Sequence, residues 1–182
     1  MTFQLPTLLT PRLLLRNFRL SDAARVSLLA GDYDIAQMTS SIPHPYDEHQ
    51  AIQWIQSHES QFNSKTAIHY AIIHLEQNIL IGAIGLELDL PNQSAKLGYW
   101  IGKPYWNQGF ATEAANSILE YAFGELGLSR VQARHMKKNP ASGRVMQKIG
   151  MTYEGTLRQS IFRFGNFQDT ALYSILRHEF IQ

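Results

Sequence analysis

The fold of this chain is decided by one stretch, Tyr99-Trp100-Ile101-Gly102-Lys103-Pro104-Tyr105-Trp106-Asn107-Gln108-Gly109-Phe110-Ala111-Thr112-Glu113-Ala114. It ends a half-apolar strand that begins at Leu97, passes through a Gly/Pro/Asn loop and opens into a helix with an apolar stripe. Gly109 has no Cβ, so the backbone can approach another group closely there. The first N–H groups of such a helix lack internal partners and carry partial positive charge, which predicts a seat for phosphate. No Walker lysine and no G-x-G-x-x-G pattern accompanies it, which excludes a nucleotide P-loop and a dinucleotide fingerprint.

The composition is that of a globular domain. The chain has 182 residues, of which 45% are hydrophobic and 17% charged. A net charge of +1 gives no electrostatic reason to expect binding to nucleic acid or to an acidic membrane. The chain has no cysteine, which excludes a disulfide scaffold, thiol catalysis and cysteine-ligated metal. No apolar run approaches the ~20 residues of a membrane span and no secretory signal is evident, so the expected location is the cytoplasm.

The apolar pattern predicts a sheet flanked by helices. Short turns join the strands 67–75, 79–89 and 95–101 into an antiparallel meander. The helix 110–125 then crosses over, so that the strand 130–135 runs parallel to 95–101. Ligands tend to bind where the topology changes in this way. The remaining strands are expected at 13–16, 151–154, 158–163 and 169–177. Ser21-Asp22 are expected to cap a helix that ends at Gly31 as its C′ residue, and Asp47 is expected to cap another.

A second stretch carries a strong helix signal. It reads Asn139-Pro140-Ala141-Ser142-Gly143-Arg144-Val145-Met146-Gln147-Lys148-Ile149-Gly150. Asparagine is a favoured N-cap and proline a favoured first residue, while glycine marks the end of a helix. Met146 is on the inward face, whereas Arg144 and Lys148 line up on the outward face.

These two stretches together resemble motifs of the GNAT superfamily of N-acetyltransferases. Gly109 and Ala111 fill the last two fixed places of the family's pyrophosphate loop, [Q/R]-x-x-G-x-[G/A], whereas Trp106 replaces its first residue. The Asn-x-x-Ser start of the second stretch and its closing Gly-Met resemble a family segment about 30 residues further on. The Tyr-Trp-x-x-Gly-Phe-Ala-Thr-Glu-Ala form and the opening Thr10-Pro11-Arg12 resemble the branch that acetylates ribosomal-protein N-termini, the RimJ/RimL-like branch.

The resemblance spans roughly residues 8–180 and implies a single GNAT acetyltransferase domain over residues 1–182. The implied fold is α/β (α+β), with a mixed, mostly antiparallel sheet of about seven strands flanked by about four helices. The sheet is expected to splay between its fourth and fifth strands, 95–101 and 130–135. Acetyl-CoA is the implied cosubstrate. No metal is expected, since His69 and His74 are five apart on a strand and face opposite ways.

The resemblance also implies which residues hold acetyl-CoA. The loop amides would accept the pyrophosphate, and the strand edge would hydrogen-bond the pantetheine as an added strand. A backbone N–H near Ile101 would polarise the thioester carbonyl. The expected cosubstrate-binding residues are Tyr99, Trp100, Ile101, Asn107, Gln108, Gly109, Phe110, Ala111, Thr112, Asn139 and Ser142.

Proton handling departs from the family pattern. Met146 stands where many members carry the tyrosine that meets the leaving thiolate, and Ser142 matches the serine proposed as its substitute in the RimL-like branch. Ser142 could equally bond the backbone of its own helix turn. Lys96 stands where many relatives carry a glutamate base, which leaves Glu154, Glu87 or water as candidates. Both carboxylates also fit a surface or structural role.

Three functions fit these residues. An α-amine with a pKa of ~8 is partly neutral at pH 7, whereas lysine at ~10.4 needs about 3 units more help, so a site without an obvious base suits a protein N-terminus. That acceptor could be ribosomal. A small-molecule amine such as an aminoglycoside, polyamine or amino acid is the alternative, and a non-catalytic CoA-binding module is the third. A monomer or a homodimer is expected, without nucleic-acid or membrane partners.

Overall fold

A computed structural model of the chain describes residues 5–180. Its centre is one eight-stranded sheet in the order β1-β2-β3-β4-β5-β6-β8-β7. Every neighbouring pair is antiparallel except β5 and β6, which are parallel. The strands are β1 (Leu8–Leu9), β2 (Leu13–Arg16), β3 (Ala67–His74), β4 (Ile79–Asp89), β5 (Ser94–Ile101), β6 (Arg130–Met136), β7 (Thr152–Arg163) and β8 (Asn166–Leu176).

Helices cover both faces of the sheet. Two apolar clusters fill the space between, one beneath α4 and α5 around Ile118 and Met146, the other beneath α1 and α3 around Val26 and Ile55. The sheet is therefore buried on both sides, which is why β3 and β4 read as nearly continuous apolar runs. The helices are α1 (Ala23–Ala30), α2 (Tyr33–Ala36), α3 (Glu48–Asn63), α4 (Phe110–Gly124), α5 (Pro140–Lys148) and α6 (Arg177–Phe180).

The parallel pair β5–β6 is only half formed. Pairing runs from Ser94 opposite Arg130 to Leu97 opposite Ala133 and then stops. Beyond that point, β5 continues to pair with β4, and β6 continues to pair with β8. The predicted splay between these strands is therefore confirmed, and it opens a gap at the end where α4 begins.

The α/β architecture and the meander are confirmed, with differences in detail. The two-residue β1 was not predicted, and the expected strands 151–154 and 158–163 form one bent strand, β7. Its bend lies at a register shift between Leu157 and Ile161. A bulge lies near Gly82, where the register of β3 on β4 skips Ile81. Two further helices, α2 and α6, are each only four residues long.

The start of α1 is held differently from the prediction. Asp22 was expected to cap the helix, but its side chain makes no cap hydrogen bond. It instead accepts two bonds from the Arg16 guanidinium, at 2.7 and 2.9 Å, and one from the Arg19 N–H. Gly31 ends the helix with an ordinary φ of −71° rather than as a left-handed cap.

Two histidines join α3 to β3. The rings of His58 and His69 stack with centroids 4.3 Å apart, beside Phe18 and Trp54. Neither ring nitrogen of His58 has a hydrogen-bond partner within residues 5–180. Burial lowers the pKa of His58 to about 3 and also lowers the pKa of His69, whose shift Glu87 partly opposes. Both rings are therefore neutral in the folded protein at pH 7.

Acid is expected to destabilise the protein through His58. The pKa of a histidine in the unfolded chain is about 6.5, whereas that of His58 in the folded protein is about 3. The contribution of neutral His58 to the unfolding free energy is therefore fully present above pH 6.5 and is lost as the pH falls towards 3. Between pH 7.5 and pH 5, the wild type should lose about 1–2 kcal/mol more unfolding free energy than His58→Phe. Urea denaturation at the two pH values measures this difference. His49→Phe, at an exposed site on the same helix, is the matched control. Equal acid sensitivity of the wild type and His58→Phe would contradict this prediction.

Candidate active site

The gap beside β5 presents an unpaired strand edge. The Gly102 N–H donates to Ile81 O of β4 at 2.8 Å. Because main-chain directions alternate along a strand, Tyr99 and Ile101 turn their main-chain groups away from β4 and towards the gap. The Ile101 carbonyl oxygen accepts a 2.6 Å bond from Trp106 Nε1. An extended ligand could therefore hydrogen-bond to the main-chain N–H and C=O of Tyr99 and to the N–H of Ile101.

Trp100 does not share this position. Its carbonyl oxygen points at β4, where it lies 2.3 Å from the place of a Cβ on Gly82. Its indole is buried in the apolar cluster beneath α1 and α3. The expectation that Trp100 contacts the cosubstrate along with Tyr99 and Ile101 is therefore not supported, because alternate residues of one strand face opposite sides.

The loop before α4 leaves its amides free. Asn107 and Gly109 both have positive φ, at 60° and 85°, and residues 106–109 are exposed. Within the described part of the chain, no turn or cap hydrogen bond is donated by the N–H groups of residues 107–112, and the first such bond runs from the Glu113 N–H to Gly109 O at 3.0 Å. Free amides at a helix N-terminus are suited to a phosphate. This group comprises the expected residues Asn107, Gln108, Gly109, Phe110, Ala111 and Thr112.

An ion pair from the other end of the chain supports this loop. Glu113 Oε1 accepts bonds from Thr10 Oγ1 at 2.7 Å and from the Arg12 N–H at 2.9 Å, while Glu113 Oε2 accepts from Arg12 Nε at 2.7 Å. The same guanidinium donates to Gln108 O at 3.0 Å and lies over the Phe110 ring at 4.5 Å. Burial alone would raise the pKa of Glu113, but the bonds from Thr10 and Arg12 outweigh it and lower that pKa.

Sequence reasoning did not assign this clamp, which we define as Thr10, Arg12 and Glu113. Glu113 lies 103 residues after Thr10 and 101 after Arg12, so no local spacing could predict the contact. Thr10 and Arg12 contributed to the family resemblance, as did Glu113, but the contact between them follows only from the fold.

The first turn of α5 lies on the other side of the gap. Asn139 Oδ1 caps the helix by accepting the Ser142 N–H at 3.3 Å, which leaves the Asn139 amide NH2 available to a ligand. Ser142 Oγ lies 2.8 Å from the Tyr99 hydroxyl. Met146 is 1% exposed within the apolar core, so the position of the usual family tyrosine contributes nothing to the gap.

Glu154 is placed away from the gap, at the paired end of β6. Arg130 donates to both its carboxylate oxygens, at 2.7 and 2.6 Å, and Ser174 Oγ donates at 2.6 Å. The Arg130 bonds, followed by the Ser174 bond, lower the pKa of Glu154 to about 2. A carboxylate with so low a pKa is a poor proton acceptor at neutral pH, so these contacts argue against the expected catalytic role of Glu154.

Glu87 is no better placed to act as a base. It lies opposite Lys96 in the β4–β5 register, and the two side chains form an exposed pair at 3.5 Å. Lys96 belongs to the paired half of β5. Both candidate carboxylates thus lie at the closed end of the strand pair, in contact with a cation.

The tip of the β7–β8 hairpin and the α2 segment form a second wall, at the open end of the β5–β6 pair. Arg163, at the tip of the β7–β8 hairpin, donates to the carbonyls of Ala36 and Ile42 in the segment between α1 and α3. Phe164 packs against Tyr33 with ring centroids 5.4 Å apart. The hairpin tip and the α2 segment therefore hold each other in place.

Residues 5–180 contain neither a candidate membrane-spanning helix nor a candidate metal site. None of the helices there has the length and apolarity that a bilayer crossing requires. No three histidine, aspartate or glutamate side chains in that range are arranged to hold a metal ion.

The site geometry defines a class of protein. An open strand edge can pair with an extended chain, and the free N–H groups of the helix beside it can donate hydrogen bonds to a phosphate group at the end of that chain. Pantetheine followed by pyrophosphate has this form, so the site is suited to a CoA thioester and hence to acyl transfer.

Comparison with known proteins supports that class. Residues 12–152 match the family described as "Acetyltransferase (GNAT) domain". "Uncharacterized N-acetyltransferase YoaA" of Bacillus subtilis (strain 168) is 33% identical over 94% of this chain and 97% of its own length. "Putative ribosomal N-acetyltransferase YdaF" of the same organism is 38% identical over 55% of each chain. The solved structure of Mycobacterium smegmatis RimJ with CoA-disulfide superposes with a TM-score of 0.86 at 21% identity, covering 97% of this chain and 88% of that one.

The chain therefore belongs to the GNAT family of acetyltransferases. It is an N-acetyltransferase that uses acetyl-CoA as its cosubstrate. The similarity to RimJ is too low in identity to carry more than the fold.

Proposed function

We propose that this chain, as a single domain over residues 1–182, acetylates the N-terminal α-amine of a protein in the cytoplasm, with ribosomal proteins as the first class to test. The observation that carries the proposal is the position of Glu154 and Glu87, each held in an ion pair at the closed end of the strand pair. Proton removal is then left to water. An α-amine with a pKa of ~8 meets that condition far better than a lysine or polyamine nitrogen near 10.4.

The cosubstrate would lie along the gap. The N–H groups of residues 107–112 donate to the pyrophosphate oxygens, Tyr99 and the Asn139 amide hydrogen-bond the pantetheine, and the Ile101 N–H polarises the thioester carbonyl. The amine approaches from the side walled by α2 and the hairpin tip and attacks the carbonyl carbon directly. Holding the two reactants together supplies much of the rate.

The relatives agree with this acceptor without deciding it. YdaF carries a name that refers to ribosomal acetylation, but it matches only 55% of this chain. RimJ, at 21% identity, supports the fold alone.

The decisive experiment is acetyl-CoA turnover with paired acceptors. One peptide carries a free N-terminus and no lysine, and a matched peptide carries a blocked N-terminus and one lysine. Spermidine and an aminoglycoside complete the panel. We expect acetylation of the free N-terminus alone, with a rate that rises towards pH 8 as the α-amine loses its proton. Turnover only of lysine or of small amines would contradict the acceptor, and CoA binding without any turnover would identify a non-catalytic module.

A further inference from the structure

Two hydroxyl groups meet across the open end of the β5–β6 pair. The Tyr99 hydroxyl lies 2.8 Å from Ser142 Oγ and 3.2 Å from Ser142 O. Tyr99 is on the half of β5 that has no partner in β6, and Ser142 is in the first turn of α5. The contact therefore spans the gap in which the thioester is proposed to lie.

The Ser142 hydroxyl proton has two arrangements, because either oxygen of the 2.8 Å contact with Tyr99 can be the donor. The Ser142 N–H is already bonded to Asn139 Oδ1, so the serine is the capped residue rather than the cap. The phenol of Tyr99 has one proton to donate. When that proton goes to Ser142 Oγ, the serine O–H can point at a third atom and becomes a stronger donor.

The surroundings keep this pair in place. Burial raises the pKa of Tyr99 to about 12, against the smaller lowering by Ser142, so the phenol remains a donor at neutral pH. A Cβ on Gly143 would lie 2.7 Å from His135 Nε2, which shows how closely the His135 ring packs on the first turn of α5. The first turn of α5 is therefore in close contact with β6 as well as with Tyr99.

We propose that Tyr99 is a positioning residue, whose phenol donates to Ser142 Oγ and turns the serine hydroxyl proton towards the sulfur of the acetyl thioester. This inference rests on the proposed function. As the amine nitrogen bonds to the carbonyl carbon, the C–S bond breaks and its electron pair stays on sulfur. The Ser142 O–H bond stabilises that thiolate, the proton of the amine goes to water, and CoA takes its proton from solvent. Tyr99 and Ser142 both keep their protons.

Tyr99→Phe tests the inference, because it removes only the phenol oxygen. We expect kcat to fall about 10-fold or more, with the KM for acetyl-CoA changed less than about twofold, since the bond matters most when charge develops on sulfur. Ser142→Ala should lower kcat at least as much. The double variant should be no slower than Ser142→Ala, because Tyr99 acts through the serine.

Tyr121→Phe is the matched control, since it removes a phenol from α4 about 16 Å along the helix from the loop. It should leave kcat unchanged. Full kcat in Tyr99→Phe, or additive losses in the double variant, would overturn this inference while the wild type remains active. A wild-type protein that acetylates no amine would instead overturn the proposed function, and this inference with it.

Discussion

Replacing Gly109 with valine is expected to raise the dissociation constant for CoA about 100-fold, equivalent to roughly 2.7 kcal/mol. Gly109 has φ +85° and stands at the N-cap of α4, between the free amides of the loop and those of the first helical turn. The left-handed conformation costs a residue with a Cβ about 1–2 kcal/mol, and it costs a β-branched residue more. Relief of that strain requires a change in φ, which turns neighbouring N–H groups away from the phosphate.

Gly109→Val should weaken CoA binding while the overall fold stays intact. Gly124→Val is the matched control, because Gly124 ends the same helix, has no positive φ and has open space where a Cβ would be added. Isothermal titration should give this control the affinity of the wild type. Wild-type affinity in Gly109→Val, with the fold verified by circular dichroism, would show that the loop is not the pyrophosphate seat.

Removing the Glu113 carboxylate is expected to lower the unfolding free energy by about 2–3 kcal/mol and to weaken CoA binding at least about fivefold. Glu113 accepts bonds from Thr10 and Arg12 and is only 16% exposed, so Glu113→Ala leaves several donors without a partner. The Arg12 side chain is 47% exposed, which keeps the loss below that of a fully buried pair. Affinity falls because Arg12 also holds Gln108 of the loop.

Glu120→Ala provides the comparison on the same helix. Glu120 is exposed and makes no ion pair within residues 5–180, so its loss should change the unfolding free energy by less than about 0.5 kcal/mol. Urea denaturation measures both variants. If Glu113→Ala and Glu120→Ala had equal unfolding free energies, the clamp would not contribute to the stability of the protein.

Local patterns predicted most of the fold. The start of α5 was correct because Asn139 and Pro140 act through the chain next to them. The parallel direction of β6 followed from the single helix that joins it to β5. The capping role expected of Asp22 was wrong, although an aspartate before a helix is usually a capping signal. In the fold, the guanidinium of Arg16 binds this carboxylate instead.

The site was less predictable than the fold. The loop from Asn107 to Thr112 is continuous in sequence, so its glycine and helix start were visible in advance. The ion pair of Glu154 was not visible in the sequence, because its partner Arg130 is 24 residues away and meets it only when β6, β8 and β7 align. The pairing of Tyr99 with Ser142 likewise needs the gap to exist before the two hydroxyls can meet.

A crystal structure of the protein with CoA tests the central claim most directly. We expect pantetheine in the gap between residues 98–101 of β5 and residues 134–136 of β6, with the pyrophosphate on the N–H groups of residues 107–112. CoA bound elsewhere, or β5 and β6 fully paired in its presence, would contradict it.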